Sequence, residues 1–377
     1  MSNIEVRPVA TNAERRSFVD LPYRLYSDST YWVPPLRRDT IHTLSPRKNP
    51  FFDHGEIQLF LARDLSGRIV GRIAAIVNGM HLKKHAEGAG FFGFFECEED
   101  SEIARRLLDA VKAWLTERNL RSVRGPVNPS MNDMAGLLVN GFDREPSILM
   151  PYNPPYYQEY LEAFGFERVM TMWAYYMHKK YVQIDRLRRG SELLRRRYPQ
   201  LHVRRLDMKR FNEEAAVILD IYNDAWSENW GHVPMTEREF AHLAKDMKQI
   251  VDPNLVYFVE DAGEPVAFSI SLPNLNLALK HIKNGRLFPT GLPRLLGYAR
   301  FGGIYECRTL LMGVRRRYQG RGLDAMLNLE TIEKGPRSGY DAAELSWILD
   351  VNTPLLNALK AYGAVADKEY AMFEAPT

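Results

Sequence analysis

The chain has 377 residues, 45% of them hydrophobic and 26% charged, and its net charge at pH 7 is +3. The length exceeds one ordinary domain and suits two of roughly 180 residues, each with enough apolar residues for its own core. This composition excludes a disordered chain, and the near-neutral charge gives no indication of a nucleic-acid partner.

The cysteines and the N-terminus bear on the compartment. Cys97 and Cys307 are isolated and have no metal-ligand spacing around them, so we expect no disulfide framework and no metal site. No stretch approaches the roughly 20 apolar residues that cross a bilayer, and residues 1–16 lack the apolar core of a signal peptide. The expected location is the cytoplasm, with peripheral attachment to the inner membrane surface left open.

Mixed strands and helices are predicted along the whole chain, which indicates an α/β or α+β fold. In the first half, alternation and apolar runs predict strands at 4–9, 57–62, 68–77, 90–96 and 122–127, with helices at 103–118 and 156–164. In the second half they predict strands at 201–206, 306–314, 343–349 and 369–374, a hairpin at 255–272, and helices at 212–226, 236–250, 323–334 and 354–362.

Two short sequence patterns each occur twice in the chain at nearly the same separation, which suggests two copies of one fold. A Leu-x-Ala-aromatic-Gly pattern in 159–166 returns in 358–364, and a strand-turn-strand pattern in 64–71 returns in 261–267. Both offsets are close to ~198 residues. We therefore predict domains at 1–180 and 201–377, joined by a basic linker at 181–200 that forms either a short helix or a solvated charged stretch.

The segment 310–323 carries the most chemical information. An apolar strand runs into a loop that contains Gly320 and Gly322, and an amphipathic helix follows at once. Glycines allow close backbone approach to a ligand, and the free N–H groups of a helix start attract anions. Positive charge from the arginines suits a diphosphate, namely Arg315, Arg316, Arg317 and Arg321.

Residues 317–322, Arg-Tyr-Gln-Gly-Arg-Gly, resemble the Arg/Gln-x-x-Gly-x-Gly/Ala signature of the GNAT acyltransferase superfamily. The resemblance covers most of 201–377 and implies two tandem GNAT-like domains, each a mixed, mostly antiparallel twisted sheet flanked by helices. It also implies an acetyl-CoA or longer acyl-CoA donor. The implied donor-binding residues are Leu311, Met312, Gly313, Val314, Arg317, Tyr318, Gln319, Gly320, Arg321, Gly322 and Asn352. Two other interpretations of this loop remain: it is a basic turn that contacts nucleic acid, or it is a glycine-rich turn that binds no ligand.

The reaction that the resemblance implies is direct attack of a primary amine on the thioester in a ternary complex. It needs a base, an oxyanion donor and a proton for the thiolate. Glu306 is the first candidate base and Glu344 the second, although each could instead pair with an arginine. Backbone N–H groups around 311–313 would hold the oxyanion. The family's usual tyrosine is replaced by Leu359, and Tyr362 is the remaining candidate acid.

The corresponding loop in the first half, residues 96–102, contains no glycine and has five carboxylates. Such a loop repels a diphosphate, so the first half is expected to be a degenerate copy with a structural role or a share in the acceptor pocket.

Two stretches of the second half bear on the acceptor. The joint between its first helices carries aromatic and polar residues, which either contact the amine acceptor or pin the loop to the core: Trp226, Glu228, Asn229, Trp230 and His232. The basic and apolar insertion at 277–305 either contacts anionic lipid or a long acyl chain, or is a surface excursion.

The leading hypothesis is an acyl-CoA-dependent N-acyltransferase, with acetyl transfer favoured. The alternatives are a long-chain N-acyltransferase acting on a lipid-like or amino-acid amine, with CoA or a carrier protein as donor, and a non-catalytic CoA-binding regulator. The acceptor is expected to be a small-molecule or lipid-like amine, and the oligomeric state is left open.

Overall fold

The computed structural model describes residues 4–377, and the chain folds into two compact units. The first unit comprises Met1–Thr171, Ala278–Leu296 and Lys368–Thr377, and the second comprises Met172–Leu277 and Gly297–Asp367. Both units are therefore discontinuous in sequence, whereas the sequence suggested the contiguous ranges 1–180 and 201–377.

The first unit is built on a six-stranded sheet in the order β1-β2-β3-β4-β5-β15, in which β8 also pairs with β15 and only β4 and β5 are parallel. Its helix α4 packs apolar residues at a spacing of about four onto the sheet. The elements are β1 (Glu5–Pro8), α1 (Asn12–Leu25), α2 (Arg37–Thr43), β2 (Gly55–Arg63), β3 (Ile69–Asn78), α3 (Gly79–Lys84), β4 (Ala89–Cys97), α4 (Ser101–Thr116), β5 (Ser122–Gly125), β6 (Val127–Asn128), β7 (Met134–Ala135), β8 (Leu137–Asn140) and α5 (Tyr156–Ala163).

The second unit repeats this plan in the order β10-β11-β12-β13-β14-β9, and only β13 and β14 are parallel. The remaining elements in chain order are β9 (Glu167–His178), α6 (Ile184–Arg197), β10 (Leu201–Arg205), α7 (Phe211–Trp226), α8 (Glu237–Met247), β11 (Val256–Asp261), β12 (Glu264–Pro273), α9 (Asn276–Leu279), α10 (Gly291–Arg300), β13 (Glu306–Val314), α11 (Leu323–Lys334), β14 (Ala342–Leu349), α12 (Thr353–Ala361) and β15 (Val365–Pro376).

Each unit takes its sixth strand from the other half of the sequence. In the first unit the strand beside β5 is β15, from the C-terminus, and in the second the strand beside β14 is β9. The predicted fold class is confirmed, because both sheets are mixed, mostly antiparallel and flanked by helices.

The two faces of the second sheet have separate cores. Helix α11 packs against residues of β11 and β12 on one face, and α12 packs against β9 and β14. Helix α7 covers the other face, where Phe258 and Phe268 are fully buried. These two layers set the positions of the loops that follow β13 and α7.

The predicted linker at 181–200 contains the helix α6, which belongs to the second unit. Its Leu187 is buried, and Arg188 pairs with Glu333 of α11 at 2.6 Å. Leu194 lies against Gly322, at the start of α11. The basic stretch is thus a packed helix beside the glycine loop. Among the residues that the structure describes, none of the helices is long and apolar enough to cross a bilayer.

Candidate active site

Strand β13 separates from its parallel neighbour halfway along its length. Its pairing with β14 covers Glu306 to Thr309, whereas its antiparallel pairing with β12 continues to Val314. A register shift opposite Ile270 leaves Leu310 as an extra residue in β13, which is a β-bulge. From the bulge onward, the edge of β13 that faces away from β12 runs toward the glycine loop without β14 beside it.

The backbone carbonyls of this edge are held by two side chains. The backbone N–H of Arg315 donates to Val266 O of β12 at 2.9 Å. Because the backbone groups of successive residues point to opposite edges of a strand, the N–H and C=O groups of Met312 and Val314 point to the edge away from β12. Met312 O accepts from Trp226 Nε1 at 3.0 Å, and Val314 O accepts from Gln319 Nε2 at 3.2 Å. Both donors are residues that the sequence predicted for the site.

The glycine loop has the backbone conformation expected of an anion cradle. Gly320 and Gly322 have φ of +72° and +85°, a region that other residues rarely adopt. A Cβ at Gly320 would meet no atom within 4 Å, so its backbone conformation, and not crowding, requires glycine there. Gly322 is the N-cap of α11 and supplies no capping side chain, and within the first turn the Asp324 carboxylate accepts from its own N–H and from that of Ala325.

The arginines around the loop contribute less free positive charge than the sequence suggested. Arg315 pairs with Asp220 of α7 at 2.5 Å, and Arg316 pairs with Asp224 and, at 3.5 Å, with Glu228. Asp220 and Asp224 stand four residues apart on α7, and Glu228 lies in the turn after the helix, so all three acids meet the loop. The acidic spacing was present in the sequence, but no local pattern indicated that these acids pair with arginines some 95 residues away.

The remaining basic residues of the loop differ in their surroundings. Arg317 pairs with Glu264 at 2.8 Å, and this hydrogen bond raises the pKa of the guanidinium. Arg321 has its guanidinium over the rings of Tyr318 and Tyr198, 4.9 Å and 5.7 Å from their centroids. Tyr318 is buried and donates to Asp261 at 2.6 Å, which fixes the loop to β11. Arg321 is therefore the loop arginine best placed to meet a bound anion.

The two residues predicted on α12 have mainly structural contacts. Asn352 caps the helix by accepting from Leu355 N–H at 3.3 Å. Tyr362 stands at its C-terminal end, where burial and, next, the Asp324 carboxylate raise the pKa of its phenol. Leu359 is fully buried in the core of α12.

The candidate base Glu306 is held by two donors. Tyr176 of β9 donates to its Oε1 at 2.9 Å, and Asn274 Nδ2 donates to its Oε2 at 3.2 Å. The carboxylate is therefore oriented from both sides. Neither partner was identified from the sequence, because they lie 130 and 32 residues away.

The second candidate, Glu344, belongs to a buried polar chain. Ser346 donates to its Oε1 at 2.7 Å, and Arg308 Nε donates to Ser346 Oγ at 2.8 Å. All three residues are 5% exposed or less. Buried polar groups connected in this way are fixed in position. The spacing of Glu344 and Ser346 on one strand face was the available sequence signal.

These carboxylates share one face of the sheet. Ile270 packs with the core under α7, and Leu272 points the same way two residues later. Arg308 lies opposite Leu272 and beside Glu344 in the registers of β13, so Arg308 and Glu344 face the α7 side, as does Glu306 two residues before Arg308. Because a strand rises about 3.3 Å per residue, Arg308 and Glu344 lie about 7 Å from the bulge along the strand and Glu306 about 13 Å.

The predicted acceptor residues divide into two groups. Trp226 contacts β13, and the exposed Glu228 pairs with Arg316, so both lie at the loop. His232 is buried with its ring 5.5 Å from that of Tyr222, and its N–H donates to Asn229 O at 3.1 Å. Trp230 is half-buried between them. The joint is thus an ordered turn over the end of β13, and its contact with an acceptor remains a prediction.

In the first unit, the chain's own groups fill the corresponding groove. Strand β4 also has a register shift, at Phe94, and its pairing with β5 ends at Phe91. Phe94 N–H donates to Asn128 Oδ1 at 2.6 Å, and Cys97 N–H donates to the Tyr157 hydroxyl at 2.8 Å. The prediction that this copy does not hold CoA in the family's manner rests on these contacts and on the acidic loop.

Within residues 4–377, no group of three or more His, Cys, Asp or Glu side chains is arranged to hold a metal ion.

Comparisons with known proteins agree with this geometry. The chain is 35% identical to "Bacterial ceramide synthase" of Caulobacter vibrioides over 99% of this chain and 97% of that protein. It is 33% identical to "Protein YghO" of Escherichia coli over 98% of this chain and 94% of that protein. A tandem GNAT protein from the clavulanic acid biosynthesis pathway superposes with a TM-score of 0.59 at 14% identity, over 99% of this chain and 98% of that one. No protein-family model matches the sequence.

In the second unit a bulged strand leaves its parallel neighbour and leads through a glycine loop into a helix, and the first unit repeats the plan of the sheet without the glycines; this arrangement defines a tandem GNAT fold. At the identity and coverage just given, the chain belongs to the family of bacterial ceramide synthase and YghO. It is an enzyme of the GNAT acyltransferase class, as the sequence resemblance predicted.

Proposed function

We propose that this enzyme transfers a long acyl chain from an acyl-CoA thioester to the primary amine of a lipid-like acceptor of the sphingoid-base type. A ceramide is the amide of a fatty acid with a sphingoid base, so a relative named as a ceramide synthase favours this acceptor class. Among the hypotheses from the sequence, the comparisons support the long-chain alternative better than acetyl transfer.

The observation that carries the proposal is the free edge of β13. The carbonyls of Met312 and Val314 face that edge, where an amide of an extended pantetheine arm can pair with Val314 in place of Gln319 while Trp226 keeps its hydrogen bond to Met312. The arm would then lead from the bulge at Leu310 to the N-terminus of α11, which receives the diphosphate.

The chemistry follows from the groups around the bulge. The amine nitrogen attacks the thioester carbon, the carbonyl oxygen becomes an oxyanion, and backbone N–H groups at the bulge stabilise it. The C–S bond then breaks and the thiolate takes a proton. Glu344, fixed by Ser346, is our first candidate for accepting the amine proton, directly or through water, because it lies closer to the bulge than Glu306 does.

The leaving thiolate needs a different proton donor from the tyrosine usual in the superfamily. Leu359 occupies that place and cannot donate, and the raised pKa of Tyr362 makes it a poor acid. We propose that water, or the proton released by the amine, protonates the thiolate.

Calorimetric titration of palmitoyl-CoA and acetyl-CoA tests the donor site. The wild type is expected to bind palmitoyl-CoA more tightly, and Arg321→Glu is expected to weaken binding at least about tenfold by placing an anion beside the diphosphate. Arg337→Glu, at an exposed position after α11, is the matched control and should bind as the wild type does. Equal affinity of Arg321→Glu and wild type, or no binding of either thioester by folded protein, would contradict the assigned site.

A further inference from the structure

The segment 277–305 concentrates positive charge to an unusual degree. It contains five basic residues and no acidic one, in a chain whose total net charge is +3: Lys280, Lys283, Arg286, Arg294 and Arg300. Lys280 pairs with Glu145 at 2.8 Å, and the other four are exposed. The charge of this segment is therefore largely available to an outside partner.

The same segment exposes large apolar side chains. Phe288 is 73% exposed, Leu296 59%, Phe301 86% and Tyr305 48%. These are four of the twelve large hydrophobic residues found exposed among residues 4–377, and they fall within 18 consecutive positions. Single exposed apolar residues are ordinary, whereas four within so short a stretch of chain favour a role in contact with a partner.

Helix α10 exposes apolar residues as well as arginines on its outer side. Leu292, Leu295 and Tyr298 are partly buried at a spacing of three, which is the face toward the protein. On the exposed side, Pro293 and Leu296 stand where a helix in water usually carries polar residues.

The segment is held in a defined conformation. Arg37 donates its backbone N–H to Gly285 O at 3.0 Å and its Nε to Asn284 O at 2.8 Å. Ile282 is 3% exposed and anchors the turn before α10. Phe301 N–H donates to Gly297 O at 3.0 Å, so the helical turn continues to the exposed phenylalanine. Contacts of the protein therefore hold the backbone before α10, and the helical turn holds Phe301.

We propose that the segment 277–305 docks on an anionic lipid bilayer. Basic residues between aromatic and aliphatic tips match a surface of acidic headgroups over acyl chains, since the charges attract the protein and the apolar tips enter the boundary. The inference rests on the proposed function for its purpose: a lipid amine with a long chain resides in the membrane, so docking brings the enzyme to its acceptor.

Sedimentation of the full chain with vesicles tests the docking. Vesicles of phosphatidylcholine with phosphatidylglycerol should bind the wild type, those of phosphatidylcholine alone should bind it weakly, and salt should reduce the binding. Phe288→Ser/Phe301→Ser should weaken binding at least about tenfold through lost apolar contact, and Lys283→Gln/Arg300→Gln should remove most of the preference for phosphatidylglycerol. The control is Leu65→Ser in the β2–β3 turn, an exposed apolar position outside the segment that should bind like wild type.

Three results would overturn the docking: no binding of the wild type to mixed vesicles, equal binding to both vesicle types, or unchanged binding of both double variants. Acyl transfer to a short-chain amine is measured without vesicles to distinguish failure of the docking proposal from failure of the proposed function. Both double variants should keep this activity, because it does not require a membrane. Vesicle binding that follows the prediction in a protein without transferase activity would retain the docking surface and reject the proposed function.

Discussion

The indole Nε1 of Trp226 donates a hydrogen bond to the carbonyl oxygen of Met312, at 3.0 Å. This contact joins the last residue of α7 to the free edge of β13, just beyond the bulge. It therefore fixes the turn that carries Glu228, Asn229 and His232 over the place where the thioester is proposed to lie.

Trp226→Phe removes this hydrogen bond and keeps an aromatic ring beside Tyr222. Since the turn would be less firmly held, we expect kcat/KM for the amine to fall about tenfold, while affinity for acyl-CoA stays within about twofold. Steady-state kinetics with each substrate varied measure the two effects. An equal loss for donor and amine would contradict a role of Trp226 on the acceptor side.

Glu344→Gln keeps the shape of the buried chain with Ser346 and Arg308 but removes the carboxylate. If Glu344 accepts the proton of the amine, kcat should fall about 100-fold or more. Glu306→Gln is the matched control on β13, where a loss below about tenfold is expected. The reverse order of the two effects would make Glu306 the base, and circular dichroism checks that both variants fold.

Tyr362→Phe removes a phenol whose pKa is raised by burial and, to a lesser degree, by Asp324. A raised pKa makes a poorer acid, and this side chain packs with residues of α6 and α11. We expect kcat to change less than about threefold. A fall of about 100-fold would identify Tyr362 as the acid after all.

His81 makes the stability of the first unit sensitive to pH. Burial, followed by the neighbouring His85, lowers the pKa of His81 from 6.5 to about 4, although Glu87 lies 2.8 Å away. Between pH 6.5 and about 4, His81 is therefore protonated in the unfolded chain but neutral in the folded chain. The free energy of unfolding consequently falls as the pH drops through this window.

The shift corresponds to a loss of about 3 to 4 kcal/mol of unfolding free energy, at about 1.4 kcal/mol per pKa unit. Denaturant unfolding at several pH values measures it, and His81→Gln should flatten the dependence. A wild-type profile that is level across the window would contradict the buried, neutral His81.

The central segment of the site was predictable from its local pattern. Strand β13 and helix α11 have the predicted bounds, 306–314 and 323–334, because an apolar run, positive-φ glycines and helical periodicity each act over a few residues. Helix α1, which contains Pro22 in its interior, was not predicted from the sequence.

Long-range pairing was not predictable. The sixth strands β9 and β15 read as ordinary strands, and nothing local indicates that each completes the sheet of the other half of the sequence. The same reason hid the ion pairs of Arg315 and Arg316 with α7, which reduce the charge offered to a diphosphate. Charge counted along a sequence overstates the charge of a site when the counterions come from distant elements.

The most direct measurement of the central claim is an acyl-transfer assay with mass-spectrometric detection of the amide. Purified enzyme receives palmitoyl-CoA or acetyl-CoA with a sphingoid base, and with a polar amino acid as the competing acceptor. If the enzyme is a long-chain N-acyltransferase, we expect the N-palmitoyl sphingoid base as the main product, with much less N-acetyl product and no amino-acid amide. Preferred acetyl transfer, or acylation of the polar amino acid over the lipid amine, would contradict it.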